Sequence, residues 1–175
     1  PNIPLPYALI GNSDELRTGD YVLAMGNPQS LSSSMTLGIV GNPERVMTSF
    51  SGNSMQNMEL PDGQLTGIFT RWIQHDALIL GGNSGGPLVN LKGEVVGINE
   101  LGGAGVGFAI PSNLVRHVLN QALTHGTVIR GWFGMTLYPV EKMGMDHGVL
   151  VSSLEPGGPA DKAGLEPGDL LVSMN

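Results

Sequence analysis

Residues 82–87 read Gly-Asn-Ser-Gly-Gly-Pro, so one serine lies among several glycines. The two glycines after Ser84 allow backbone conformations that a Cβ would forbid. Gly82 has no side chain, which leaves its N–H free to face a substrate carbonyl. The N–H groups of Gly82 and Ser84, in a segment that also contains Asn83, could form an oxyanion hole, and losing one such donor typically lowers turnover by about 10²–10³. This spacing predicts Ser84 as the nucleophile of an acyl transfer.

Three other interpretations of this run are open. It could be an ordinary turn, an anion-binding nest of backbone N–H groups, or the Gly-x-Ser-x-Gly elbow of an α/β-hydrolase. The elbow must lead from a strand into a helix, whereas here Pro87 and two apolar runs follow, residues 88–91 and 95–98, with a Lys-Gly turn between them. That pattern is typical of a β-hairpin and argues against the hydrolase elbow.

The composition limits the class of protein. The chain has 175 residues, enough for one domain or two small ones, and its 27 glycines and 12 prolines favour short strands and turns over long helices. A net charge of −7 argues against nucleic acid as a partner. Cysteine is absent, so no disulfide or thiolate metal site is expected, and we predict no metal and no cofactor. The first residue is Pro1 and the last follows an apolar run, so we expect a piece of a longer protein.

The elements that must position Ser84 are mostly short strands. Residues 21–25 and 35–40 are apolar runs, and each is closed by a Gly-Asn-Pro turn. Residues 49–58 are polar and predict an exposed loop, Pro-Asp-Gly at 61–63 predicts a turn, and residues 65–72 alternate as a strand does. Repeated short strands with turns between them favour an antiparallel barrel or sandwich.

One helix and a second domain are predicted further along the chain. Ser112 is a plausible N-cap, apolar residues recur at helical spacing from 114 to 123, and Gly126 lies where a C-terminal glycine is expected. After it we predict strands at 148–152 and 170–172 and a short helix at 159–164. The predicted domains are therefore 1–126 and 127–175, and the second is shorter than the roughly 50 residues of an independent domain.

The chain resembles the HtrA/DegP family of serine peptidases, and the resemblance covers nearly all of it. It rests on residues 16–22, 24–28, 82–99 and 107–113, and on PDZ-like pieces at 148–151 and 163–169. The family implies a mainly β fold: the C-terminal six-stranded barrel of a chymotrypsin-like double barrel, one closing helix, and the N-terminal half of a PDZ domain. It also implies a serine endopeptidase of protein quality control whose catalytic His and Asp lie upstream of this chain.

The resemblance assigns roles to residues around Ser84. His75 lies where the family carries a small polar residue, and we interpret it as non-catalytic; residues 80–81 are Leu-Gly where the family has Asn-Pro. Leu78, six residues before the nucleophile, would form the base of the S1 pocket. An apolar base cannot satisfy a buried Lys or Arg head group, which predicts aliphatic P1 residues. A strand edge would pair with the substrate backbone, made of Asn99, Glu100, Leu101 and Gly102.

In the PDZ portion, the run Trp132, Phe133, Gly134 and Met135 occupies the place of the family's carboxylate-binding loop. Its N–H groups would bind a peptide C-terminus, and Arg130 could add positive charge. The alternative is that both aromatic rings only pack in a core or between domains.

The family implies several partners: unfolded polypeptide substrates, C-terminal peptides at the PDZ domain, and a homotrimer or larger homo-oligomer. It implies the periplasm or cell envelope in a bacterium and the mitochondrion in a eukaryote. A different class of function stays open, a non-catalytic pseudopeptidase that binds peptides through its PDZ domain or acts as a chaperone. The intact serine and glycines of residues 82–87 argue against it.

Overall fold

The computed structural model describes residues 5–28, 34–46, 49–50, 53–54, 71–129, 131–140 and 147–174. The chain divides into two compact units, Pro1–Val128 and Ile129–Asn175. The prediction of a mainly β fold is confirmed. None of the helices in the described part of the chain has the length and apolarity to cross a membrane.

A closed barrel of six strands forms the first unit, with the spatial order β1-β2-β5-β8-β7-β6. All of its neighbouring strands run antiparallel. The strands are β1 (Tyr21–Gly26), β2 (Ser34–Val46), β5 (Arg71–His75), β6 (Pro87–Asn90), β7 (Val95–Gly103) and β8 (Val106–Pro111). Two further short strands, β3 (Ser49–Phe50) and β4 (Asn53–Ser54), pair with each other outside the barrel.

Small aliphatic side chains fill the barrel interior. Most of them come from strand positions whose side chains point inward, as the period of two requires, and Ala77 lies just after β5. The buried cluster consists of Val22, Ala24, Val40, Ile73, Ala77, Leu88, Val96 and Ala109. This core fixes β5 and β6, the two strands that the segment with the Ser84 loop connects.

Two of the predicted strand and loop boundaries are wrong. β2 does not stop at the Gly-Asn-Pro run of residues 41–43 but continues to Val46. Its pairing with β5 shifts register twice, between Val40 and Asn42 and between Asn42 and Arg45, and such bulges accommodate a proline within a strand. In the predicted loop at 49–58, β3 and β4 form a short ladder, and the other residues of that loop lie outside the described residues. The same holds for the predicted turn at 61–63 and for residues 65–70 of the next predicted strand.

The predicted helix is present as α1 (Ser112–His125), and Gly126 ends it in the left-handed conformation with φ 71°. The predicted N-cap is wrong, because Pro111 occupies that position and Ser112 begins the helix. The Ser112 hydroxyl instead donates to the Gly11 carbonyl oxygen at 2.9 Å, which ties the helix to the segment before the first strand.

The second unit contains a small antiparallel sheet in the order β11-β10-β9. Its strands are β9 (Met135–Pro139), β10 (Val149–Leu154) and β11 (Leu170–Leu171). The short helix α2 (Pro159–Lys162) begins with the predicted proline and is followed by Gly164 at φ 83°. Val140, Val151 and Ala160 are the buried apolar residues of this unit in the described part of the chain.

Candidate active site

The Ser84 loop leads directly into β6, and the Ser84 side chain is exposed. The Ser84 hydroxyl donates to the Glu100 carbonyl oxygen on β7 at 2.9 Å. The nucleophile predicted from sequence therefore lies on the barrel surface beside β7. Its proton is held by a backbone carbonyl in this conformation.

Two of the three N–H groups in the predicted oxyanion segment are available to a ligand. Asn83 N–H donates to the Leu80 carbonyl oxygen at 3.0 Å, so it is already used within the loop. Gly82 N–H and Ser84 N–H have no hydrogen-bond partner among the described residues. An oxyanion hole needs N–H groups without a partner, so these two groups agree with the predicted role, which stays a prediction.

Gly82 is required by the geometry of this loop. Its φ is +108°, a conformation that residues with a Cβ rarely adopt. A Cβ at this position would also overlap the carbonyl oxygen of Asn27. The glycine therefore allows the loop to approach the end of β1 closely, and Asn27 N–H donates to the Gly82 carbonyl oxygen at 3.1 Å.

The residues that follow Ser84 are fastened to Asn99 of β7. Gly85 N–H donates to the Asn99 carbonyl oxygen at 2.8 Å, and Asn99 N–H donates to the Gly86 carbonyl oxygen at 2.8 Å. The Asn99 side chain adds a third contact, in which Nδ2 donates to the Pro87 carbonyl oxygen at 3.0 Å. Asn99 is fully buried, so its side chain lies on the inner side of the strand.

The residue before Ser84 is anchored in a similar way. Asn83 is buried, its Nδ2 donates to the Leu78 carbonyl oxygen at 3.3 Å, and its own carbonyl oxygen accepts Gly86 N–H at 2.9 Å. Asn83 and Asn99 are both buried, and both hold the Ser84 loop through hydrogen bonds with main-chain atoms.

The predicted substrate-binding edge begins just beyond these contacts. β6 pairs with β7 only as far as Ile98, and β8 covers the other edge of β7 at Leu101 and Gly102. On the β6 side, the edge from Glu100 onward has no strand partner among the described residues. The backbone of Asn99 is already bonded to the Ser84 loop, and the Glu100 carbonyl oxygen accepts the Ser84 hydroxyl. Among the predicted edge residues, Leu101 and Gly102 have no such bond to the Ser84 loop in the described part of the chain.

The predicted S1 residue lies on the surface in this structure. The Leu78 side chain is 53% exposed and that of Leu80 is 40% exposed. The Leu78 backbone is well fixed, because its carbonyl oxygen accepts the Thr36 hydroxyl at 2.9 Å as well as Asn83 Nδ2. Apolar side chains are therefore presented immediately before the Ser84 loop.

His75 is not hydrogen-bonded to Ser84. Its ring is buried in the barrel, and neither ring nitrogen has a partner at hydrogen-bond geometry among the described residues. Burial lowers the pKa of His75 below its usual value of 6.5, although the facing Asn99 side chain, the Asp76 carboxylate and the Ala77 backbone act in the opposite direction. The ring is therefore neutral at neutral pH.

Asp76 has a structural role at the end of β5. Its Oδ1 accepts the Ile39 N–H at 2.6 Å, and its own N–H donates to the Ile39 carbonyl oxygen at 3.2 Å. These contacts join the end of β5 to β2, just before the segment that carries Leu78.

The predicted carboxylate-binding loop, residues 132–135, lies in the second unit and exposes its aromatic side chains. The Trp132 and Phe133 side chains are 65% and 51% exposed. The Phe133 carbonyl oxygen accepts Ala160 N–H at 2.9 Å, and the Gly134 carbonyl oxygen accepts Glu155 N–H at 2.7 Å. The N–H groups of Phe133 and Gly134 have no partner in the described part of the chain. Met135 begins β9, and Arg130 lies outside the described residues.

Sequence reasoning did not identify the anchoring role of Asn83 and Asn99. A usable signal was present, because Asn99 is a polar residue directly after the apolar run 95–98 of a predicted strand. A buried asparagine in such a position needs hydrogen-bond partners. Where those partners are main-chain carbonyl groups of a neighbouring loop, the asparagine positions that loop.

Comparison with known proteins places both units. The profile of the trypsin-like peptidase domain matches residues 1–98, and that of the PDZ domain matches residues 122–175. A Chlamydia pneumoniae protein named "Probable periplasmic serine endoprotease DegP-like" is 37% identical over 98% of this chain and 34% of its own length. A protein of the same name from Hahella chejuensis is 40% identical over 98% of this chain and 36% of its own length.

Solved structures agree with the sequence comparison. The HtrA-type protease AlgW with a tripeptide has a TM-score of 0.69 and 35% identity, covering 96% of this chain and 56% of that one. The same protease with a decapeptide gives a TM-score of 0.66 at 35% identity, covering 93% and 49%. The chain spans about a third of the length of the curated relatives it matches.

Proposed function

The chain belongs to the HtrA/DegP family of trypsin-like serine peptidases with a PDZ domain, and we propose that it forms part of a serine endopeptidase that acts on unfolded polypeptides. Ser84 is the nucleophile, and Gly82 N–H and Ser84 N–H bind the oxyanion of the tetrahedral intermediate. The single observation that carries this proposal is the pair of unpaired N–H groups beside an exposed serine hydroxyl.

The general base is not His75 in this proposal. Neither nitrogen of the buried ring has a hydrogen-bond partner among the described residues, and the Ser84 hydroxyl is bonded to the Glu100 carbonyl oxygen. We assign the base to a histidine, oriented by an aspartate, from sequence outside residues 1–175, since these residues span only about a third of the relatives' length. That base would take the Ser84 proton as the oxygen attacks the scissile carbonyl.

Substrate binding follows from the open edge of β7. An extended substrate segment adds to Glu100, Leu101 and Gly102 by main-chain hydrogen bonds, which is why an unfolded chain is required. Leu78 provides an apolar S1 surface, so cleavage after aliphatic P1 residues is proposed. Binding the substrate N–H at the Glu100 carbonyl also competes with the Ser84 hydroxyl for the same acceptor and frees the hydroxyl for the base.

The second unit binds the C-terminus of a peptide in this proposal. The free N–H groups of Phe133 and Gly134 would hold the carboxylate, and the exposed Trp132 ring would cover it. The periplasmic names of the relatives support an envelope location. A homotrimer or larger homo-oligomer is proposed from the family alone. The domain limits of 1–126 and 127–175 are proposed from the end of the predicted helix at Gly126.

The test is cleavage of unfolded casein by the protein expressed from its complete gene, with mass-spectrometric mapping of the cleavage sites. Wild type should cleave after aliphatic residues, Ser84→Ala should be inactive, and Leu78→Asp should shift cleavage toward Lys and Arg. A folded wild-type protein that binds casein without cleaving it would favour the pseudopeptidase instead.

A further inference from the structure

Glycines of four barrel strands contact the segment that carries the predicted site, residues 75–86. They are Gly26 of β1, Gly38 of β2, Gly102 of β7 and Gly107 of β8. A Cβ at each of these positions would overlap an atom of that segment. None of the four has a φ in the left-handed region, so the local backbone conformation would accept an alanine. Close approach of the segment therefore explains why these strand positions carry glycine.

Gly26 is the last residue of β1 and contacts the predicted oxyanion loop. A Cβ on Gly26 would overlap Asn83 Oδ1 and would lie 2.7 Å from Asn83 Cα. Across the same contact, a Cβ on Gly86 would overlap the Met25 carbonyl oxygen. Asn83 is 2% exposed, so it is enclosed on its other sides. Carbon atoms in contact lie about 3.5–4.0 Å apart, so a methyl group on Gly26 would move the backbone of Asn83, and with it the neighbouring N–H groups, by about 1 Å.

Gly38 of β2 contacts the residues that come just before Leu78. A Cβ on Gly38 would overlap the Ala77 nitrogen and would lie 2.6 Å from Ala77 Cα and 2.5 Å from Asp76 Oδ1. Ala77 is 2% exposed, so this contact is also enclosed. On the same strand, the Thr36 hydroxyl donates to the Leu78 carbonyl oxygen at 2.9 Å. β2 therefore determines where the backbone of the predicted S1 residue lies.

The contacts of Gly26 and Gly38 are far enough apart to act independently. β1 and β2 pair antiparallel, and Gly38 lies opposite Val22, four residues before Gly26 on β1. At about 3.3 Å per residue, the two glycines are about 13 Å apart along the strands. Substitutions more than about 10 Å apart that share no contacting residue usually have additive effects. A methyl group at one glycine should therefore leave the contact at the other unchanged.

We propose that Gly26 and Gly38 are positioning residues with separate roles in the proposed endopeptidase. Gly26 sets the position of the oxyanion donors beside Ser84, and Gly38 sets the position of the Leu78 side chain. The inference rests on the proposed function, because it concerns the same nucleophile and the same S1 residue. Neither glycine touches the reacting atoms, so each acts through the backbone that it contacts. The first should control the rate of the chemical step, and the second the choice of P1 residue.

The experiment measures kcat and KM of the protein expressed from its complete gene, on two peptides that differ only in a P1 valine or leucine. Gly26→Ala should lower kcat about 10²-fold for both peptides with KM unchanged, because a displacement of about 1 Å at the oxyanion donors acts on the transition state. Gly38→Ala should change the ratio of kcat/KM between the two peptides about tenfold, because one methylene group in an apolar pocket contributes about that much to discrimination. Melting curves establish that every variant is folded at the temperature of the assay.

Gly41→Ala is the matched control for both variants. Gly41 is another glycine of β2 without a left-handed φ, and its Cβ would lie 3.2 Å from Gln74 Nε2, the end of a flexible side chain. This side chain can move aside without shifting the backbone of residues 75–86. The kcat, the KM and the P1 ratio of Gly41→Ala should therefore stay at the wild-type values.

Thr36 tests the contact of β2 with the S1 residue without adding an atom to Gly38. Thr36→Val removes the hydroxyl group that is bonded to the Leu78 carbonyl oxygen, and it should change the P1 ratio in the same direction as Gly38→Ala. Thr36→Ser keeps the hydroxyl group and should keep the wild-type ratio. If Gly38→Ala does not fold, this pair takes its place. If Gly26→Ala does not fold, Gly86→Ala tests the same contact from the loop and should show the same loss of kcat.

A folded Gly26→Ala variant with the wild-type kcat would overturn the role of Gly26, and an unchanged P1 ratio in Gly38→Ala and Thr36→Val would overturn the role of Gly38. An equal loss of kcat in both glycine variants, with the P1 ratio unchanged, would mean a general disturbance of the barrel and would overturn the separate roles. These results leave the proposed function intact as long as wild type cleaves the peptides and Ser84→Ala does not. A folded wild-type protein that cleaves neither peptide would overturn the proposed function and the inference together.

Discussion

The two predicted sites of this chain are built in opposite ways. The Ser84 loop is held by the buried side chains of Asn83 and Asn99 and by main-chain hydrogen bonds to β7 and to Asn27, which follows β1. The segment from Trp132 to Met135 presents exposed aromatic rings, and the carbonyl oxygens of Phe133 and Gly134 accept hydrogen bonds within its unit. A site for covalent chemistry needs its donors fixed in advance, whereas a site for peptide binding can leave apolar surface exposed.

Because the Ser84 loop is held rigidly and the Trp132 segment is exposed, we expect amino-acid substitutions to affect the two sites differently. Substitutions near Ser84 should act through geometry, with large losses of rate. Truncation of the exposed side chains in the Trp132 segment should act through the loss of contact area, with small effects on folding.

The largest effect is expected from Gly82→Ala. The added Cβ meets both an unfavourable φ and the Asn27 carbonyl oxygen, so one oxyanion donor should be displaced. We expect peptide hydrolysis to fall by about 10²–10³. Gly93→Ala is the matched control, because Gly93 also has a positive φ of 80° but has open space around it. An equal loss in both variants would mean that backbone strain, and not the site, controls the rate.

Acid stability should depend on His75. Its pKa is lowered in the folded barrel, so the unfolded chain takes up the proton more readily. The stability is therefore complete above the ordinary pKa of 6.5 and is lost as the pH falls from there through the lower folded value. Urea denaturation of wild type and His75→Gln between neutral and acidic pH should show the two stabilities diverging below that point. Parallel curves would contradict the buried neutral ring.

A smaller effect is expected from Gly134→Ala in the second unit. The residue has φ +69°, and a Cβ would lie 3.1 Å from the Trp132 ring. We expect a stability loss of about 1–2 kcal/mol from the left-handed backbone and a roughly tenfold weaker binding of C-terminal peptides, measured by calorimetry. Gly157→Ala, with φ +72° and open surroundings, should lose similar stability and keep its peptide affinity.

The smallest effect on folding is expected from Trp132→Ala. Because the ring is 65% exposed, the free energy of unfolding should change by no more than about 0.5 kcal/mol while peptide affinity falls. If Trp132 served as packing, as the alternative interpretation holds, truncation would cost about 3–5 kcal/mol. Chemical denaturation and peptide titration of the same variant separate the two roles.

Most of the barrel was predictable because its strands follow local rules. The apolar runs at residues 21–25, 35–40 and 95–98 and the glycine-proline turns between them depend on short-range patterns, and the strands lie where those patterns predict. The extension of β2 beyond Pro43 was not predictable, because it depends on bulges set by the pairing with β5.

The same distinction applies to the site. The composition of residues 82–87 alone predicts a nucleophile and its oxyanion donors. The burial of His75 and Asn99 inside the barrel could not be predicted, since the two residues lie 24 positions apart in sequence and their burial depends on the closure of the barrel. Similarly, the use of Asn83 N–H inside the loop depends on the turn to Leu80 and not on residue type.

The most direct measurement is fluorophosphonate labelling of the protein expressed from its complete gene, with the labelled residue identified by mass spectrometry and with Ser84→Ala as the control. We expect one label, on Ser84, that is absent from the variant. A folded protein that stays unlabelled in the presence of unfolded casein, or a label on another residue, would contradict the central claim that Ser84 is an activated nucleophile.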